Sequence, residues 1–138
     1  MNLETVHNRA MQLSEEHLRH QQAGNAAQSQ KLALQALALE KLCAEQALAK
    51  GLEELSTSSP LEELEDIQIM FKLTTAGILH HSAAHLAIDA GELEEARELQ
   101  NWPERVPEKW RAAALKMRSA ADPKKEGSAR LKQALKKT

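Results

Sequence analysis

Three histidines fall within six residues, His80, His81 and His85, and they are the most chemically suggestive group in the chain. His81 and His85 are four apart, so on a helix they share one face and could offer two imidazole nitrogens to a single transition metal. Asp89, four residues further on, is the nearest candidate third ligand. A closed zinc site takes about four ligands and a catalytic one about three. No cysteine joins the set, so the expectation is no metal and no cofactor, with His81 and His85 as neutral residues lining a helix interface. Such an interface would be acid-sensitive near pH 6, because protonating a buried imidazole is costly.

Other residues that can do chemistry read as structural. The acidic runs Glu62-Glu63-Glu65-Asp66 and Glu92-Glu94-Glu95-Glu98 lie at expected helix starts, where negative charge complements the macrodipole. They are expected to be solvated. Cys43, the one cysteine, sits in an apolar run and reads as a packed, inert thiol; a lone cysteine also excludes an internal disulfide framework. There is no glycine-rich phosphate loop, no serine nucleophile elbow and no cysteine pair. No enzymatic activity is expected. Trp102 and Trp110 are candidate partner-binding anchors, since large rigid aromatics concentrate interface energy; the competing expectation is that they close one end of the core.

These residues need elements to position them. The chain has 138 residues, 42% apolar and 28% charged, with 2% aromatic and abundant Ala, Leu, Glu, Gln and Lys. That composition predicts one all-α domain. Leu3, Val6, Ala10, Leu13 and His17 mark a first amphipathic helix, and Ala23-Gly24-Asn25 a turn. A second helix runs from about Ala26 to Leu55, with Leu32, Ala36, Leu39 and Cys43 on one face and Leu34, Leu37, Ala44 and Leu48 on another, and with Gly51 as a point of fraying.

Ser59, Pro60 and Glu62 have the spacing of a helix start with a capping box, and the segment that they open is predicted to run unbroken to Ala90 as the central rod. Leu64, Ile67, Phe71, Thr74, Ile78, His81, His85 and Ile88 recur at alternating steps of three and four, beside a second stripe of Leu73, Ala76, Ala83 and Leu86. Both stripes are predicted to be covered by neighbouring helices. Gly91 ends the rod, a short helix follows to about Gln100, and Pro107 begins a last helix that Asp122-Pro123 stops. About five helices in compact antiparallel hairpins are expected.

Charge divides the chain in two. Residues 1–121 carry an excess of six negative charges, while residues 122–138 carry an excess of four positive ones. The expectation is a helical domain over 1–121 and a basic C-terminal tail over 122–138, flexible or folding on contact, with a brief Leu131 and Leu135 stripe. Without interleaved aromatics the tail gives only a weak nucleic-acid signal. No run approaches the roughly 18 apolar residues of a membrane span, and no signal peptide is read, so a soluble cytoplasmic protein is expected.

The segment from His80 to Gln100, HHSAAHLAIDAGELEEARELQ, resembles a tetratricopeptide repeat. Ala84 stands where the two helices of a repeat cross, Gly91 at the turn and Ala96 on the second helix. Pro103 breaks the second helix where the repeat continues it, and Gln100 replaces a large apolar residue. The pair around Ala23-Gly24-Asn25 is similar to a degenerate copy, with His17 and Ser29 where the pattern favours small residues. The chain also resembles small bacterial proteins of such hairpins that carry no established activity. The resemblance implies a tetratricopeptide-like scaffold that binds another protein or a second copy of itself, without catalysis. Two other readings stand beside it: a metal- or pH-responsive sensor built on His80, His81 and His85, and a nucleic-acid accessory acting through the tail.

Overall fold

The computed structural model describes residues 2–58 and 64–121, with side chains as far as residue 118. Its elements are α1 (Leu3–Gln22), α2 (Ala26–Thr57), α3 (Asp66–Asp89), α4 (Leu93–Gln100), a 3-10 turn (Trp102–Arg105) and α5 (Glu108–Ala121). The described residues form no strand, and the all-α expectation is met.

The first three helices run antiparallel, as their cross-contacts show. Along α1 and α2, the Cys43 thiol reaches Leu3 O, His7 bonds Glu40, and His17 bonds Ser29. Between α2 and α3, Gly51 lies against Lys72, Glu40 meets Ser82, and Gln30 donates to Ala90 O. The α1–α2 turn is made at Gly24 (φ 83°), a conformation costly for any residue with a Cβ. The α3–α4 turn uses Gly91 (φ 80°) in the same way, with Gly91 N–H donating to Ile88 O and Glu92 N–H to Ala87 O.

Two buried clusters fill the molecule. One joins Cys43, Leu48 and Leu55 of α2 to Ile69, Leu73 and Leu79 of α3, with Trp102, Val106, Trp110, Ala113 and Ala114 closing its end. The other joins Leu13, Leu32, Leu37, Ala83, Ala84, Leu86, Ala96 and Leu99. Trp102 and Trp110 are therefore core residues, as the second expectation for them had it.

The structure departs from the expected helices at four points. α3 starts at Asp66, where the Glu65 side chain accepts from the backbone of the third helical residue and Gln68 reaches back to Glu65 N–H at 2.8 Å. This reciprocal cap does the work that the sequence assigned to Ser59, Pro60 and Glu62, which lie outside the described residues. The rod is 24 residues long rather than 31, and α2, at 32 residues, is the longest helix.

Gly51 does not fray α2. It is buried mid-helix because a Cβ there would stand 2.8 Å from Lys72 O and 3.2 Å from Leu73 Cδ2, so glycine lets the two backbones approach. Leu34 is exposed and Leu39 only partly buried, because the covered surface of α2 follows Leu32, Ala33, Ala36, Leu37, Glu40, Cys43 and Ala44 instead.

The last correction concerns α3. Leu73, Ala76, Ala83 and Leu86 are buried as expected, but Ile67, Phe71 and Ile78 of the other stripe stay 71%, 77% and 63% exposed. No helix among the described residues covers them. α2 takes one side of α3, while α4, the 3-10 turn and α5 take a second. The third side is left open.

Glu40, fully buried, is the polar centre of the three-helix packing. Ser82 Oγ donates to one carboxylate oxygen at 2.6 Å and His7 Nδ1 pairs with the other at 2.8 Å, so one side chain joins α1, α2 and α3. Glu40→Ala should lower the unfolding free energy in urea by about 3 kcal/mol, since it opens a cavity and strands the Ser82 hydroxyl. Gly51→Ala should also lower it, by about 1 kcal/mol net, because contact with the fixed Lys72 carbonyl outweighs a helix-propensity gain of about 1 kcal/mol.

Candidate docking groove

The open side of α3 is a groove. Ile67, Phe71, Thr74, Ile78 and His81 run along its floor at steps of four and three, with Met70 and Gly77 beside them. Trp102, Met117 and Arg118 form one wall, and the hollow measures about 430 Å³. The wall comes close to the α3 backbone at Gly77, where a Cβ would stand in contact, 3.4 Å from both Trp102 Cζ2 and Met117 Cε.

The wall is pinned at several points. Asn101 and Pro103 end α4 and force the 3-10 turn, which delivers Trp102 beneath the groove. Arg118 donates to Gln100 O at 3.3 Å and to Asn101 Oδ1 at 3.4 Å, and Lys116 pairs with Asp66 at the start of α3. Apart from His81, Gln100 and Arg118, the lining is made of apolar residues, Thr74 and Gly77. A second, apolar hollow continues past Phe71 toward Leu55 and Leu64.

The histidines separate into two environments. His80 is fully buried, with its ring stacked on Trp102 at a centroid distance of 5.6 Å. Its Nδ1–H donates to Ala76 O at 2.7 Å, which leaves Nε2 as acceptor for the Arg105 guanidinium. Burial pushes its pKa down to about 4, the bond to Ala76 O working against the shift and the Arg105 charge adding to it. The fully buried imidazole of the three is thus His80.

His81 and His85 are partly exposed, edge to face, with their Nε2 atoms 3.1 Å apart. His81 lies on the floor of the groove, and both rings are intermediate in burial. The pair offers two converging nitrogens, and no group of three or more metal-ligating side chains occurs among the described residues.

Cys43 is buried, and burial raises its thiol pKa, with the Glu40 charge acting in the same direction. That is the opposite of an activated nucleophile. Of the acidic runs, Glu65 caps α3, Asp66 pairs with Lys116, and Glu95 pairs with Lys41. Glu62 and Glu63 lie outside the described residues, as does the basic tail 122–138.

Sequence reasoning missed Glu40 and Arg105. Glu40 is the single charged residue on the line Ala33, Ala36, Glu40, Cys43 and Ala47, all of them buried. That break in an apolar stripe was a readable signal. Arg105 gave none, since it meets His80 only through the fold. Comparison with protein-family models, with curated proteins and with solved structures returns no match. No helix of the described residues is long and apolar enough to cross a membrane.

Because the folded His80 titrates near 4 and an unfolded one near 6.5, its contribution is fully present above pH 6.5 and is lost as pH falls toward 4. The loss should approach about 3 kcal/mol. In urea titrations between pH 7 and 4, His80→Phe, which cannot titrate and keeps a ring on Trp102, should lose correspondingly less stability than the native chain.

Proposed function

We propose that the protein is a non-enzymatic protein-interaction module, and that the groove along α3 receives an amphipathic helix. The observation that carries this reading is the row Ile67, Phe71 and Ile78, largely exposed on one face of a helix that is otherwise packed. Burying an Ile or Phe side chain is worth about 1.5–3 kcal/mol, so leaving three of them open forgoes on the order of 5 kcal/mol of stability. Exposed apolar surface of this kind, flanked by polar residues, is characteristic of a binding site.

The shape fits a helix. From Ile67 to His81 the floor spans about 21 Å at a rise of about 1.5 Å per residue, which matches roughly four turns of an incoming helix. Its anchors would recur every three or four residues, as the floor residues do. Arg118 at the wall favours a partner with a carboxylate at its edge.

The two hairpins support a tetratricopeptide-like reading. Gly91 makes the α3–α4 turn and Ala84 and Ala96 are both fully buried in one cluster, as the resemblance implies. At the α1–α2 crossing, His17 and Ser29 take the place of small residues and bond each other: Ser29 Oγ donates to His17 O at 3.1 Å, and His17 Nδ1 lies 2.8 Å from Ser29 O. With only two such hairpins, the long concave surface of a repeat array is too short to serve, and the face of α3 takes its place.

A displayed library of amphipathic 14-residue helices should yield binders to the protein whose capture is lost with Phe71→Asp and kept with Leu34→Asp, an exposed leucine on α2. Binders indifferent to Phe71→Asp would overturn the assignment of the groove.

A further inference from the structure

Two side chains of α3 stand in the geometry of a metal clasp. The Nε2 atoms of His81 and His85 lie 3.1 Å apart, with the rings edge to face at 76°. Two nitrogens at that separation, each about 2.0–2.1 Å from one ion, subtend an angle of about 100° at it. That angle falls between the right angle of tetragonal coordination and the wider tetrahedral one, so both geometries are within reach. An ion between the rings takes the place of the Nε2–H···Nε2 hydrogen bond, the donating ring carrying its proton on Nδ1 instead.

The other histidines are committed elsewhere. His7 bonds Glu40, His17 bonds Ser29, His80 lies between Ala76 O and Arg105, and His20 Nδ1 faces the Asn25 amide. All six histidines fall among the described residues, and His81 and His85 are the one pair whose ring nitrogens meet. Both rings are partly exposed, so an ion reaches them without unfolding of the chain. The backbone that carries them is fixed, because Ala83, Ala84, Leu86 and Ala87 of the same turns are buried in the core. The nitrogens therefore converge before an ion arrives, and little side-chain ordering remains to be done on binding.

Donor chemistry selects the ion. Imidazole nitrogen suits Zn²⁺, Ni²⁺ and Cu²⁺, whereas Ca²⁺ and Mg²⁺ take oxygen ligands. Asp89, one turn beyond His85, does not complete a set of three, since no such group of metal-ligating side chains occurs among the described residues. Two protein ligands fall short of the about three of a catalytic zinc and the about four of a structural one, so the ion is exchangeable and water fills its open positions.

We propose that His81 and His85 form an exchangeable site for a divalent first-row transition ion, at the groove floor that His81 lines. Chelation from successive turns exists only while α3 is helical, so the ion stabilises the folded chain over the unfolded one.

The test titrates the full chain with Ni²⁺ in a non-coordinating buffer by calorimetry and follows the thermal melt at each concentration. One ion should bind per chain and raise the melting temperature, and EDTA should reverse the rise; Mg²⁺ should leave it unchanged. His81→Gln and His85→Gln should each weaken binding by about tenfold or more, because the second nitrogen no longer adds within the same molecule, and His20→Gln should not. Absence of binding by the native chain, or unchanged affinity in the His81 and His85 variants, would overturn the site. Pulsed electron resonance of Cu²⁺ bound to the native chain gives a reading that needs no variant: two imidazoles on one ion are expected, and a single imidazole would overturn the proposal.

Discussion

α2 and α3 can approach closely only where their side chains are small, and the rest of the molecule follows from that approach. Gly51 stands against the Lys72 carbonyl, and Ala36, Ala44, Ala47, Ala76, Ala83 and Ala87 are all buried to within 6% of their surface. Small residues bring backbones together and let larger neighbours interlock around them. They bury little area each, so the interface gains its stability from length: contacts run from Leu55 and Ile69 at one end to Gln30 and Ala90 at the other.

Glu40 adds direction to that packing. An alanine-rich interface is tolerant of sliding, because one small residue replaces another at each step. A buried carboxylate that must find Ser82 on one helix and His7 on another fixes one register, as a slip by a turn would bury its charge without partners. The Arg105–His80–Ala76 chain does the same for the 3-10 turn, anchoring it to α3.

Much of this architecture is legible in the sequence. Gly24, Gly91 and Pro107 mark breaks between helices because each imposes a backbone constraint that nearby residues cannot override. The limits of α3 were less legible, since Ser59-Pro60-Glu62 and Glu65-Gln68 both have capping chemistry and only the fold chooses between them. The open face of α3 is not legible for a related reason. A stripe of Ile67, Phe71 and Ile78 is written identically whether a neighbour covers it or not, and periodicity reports which residues share a face without counting the helices available to meet it. His80 was hidden among three histidines, two of which fell on the more regular stripe.

Trp102 occupies an unusual position, with one part of its indole stacked on His80 in the interior and another forming the wall beneath Phe71 and Ile78. The only other indole, Trp110, is held in the core with the Lys109 ammonium 4.4 Å from its ring centroid. A helix docked in the groove would pack near the first chromophore and leave the second in place, so the two indoles would serve as an optical probe and its internal reference without an attached dye.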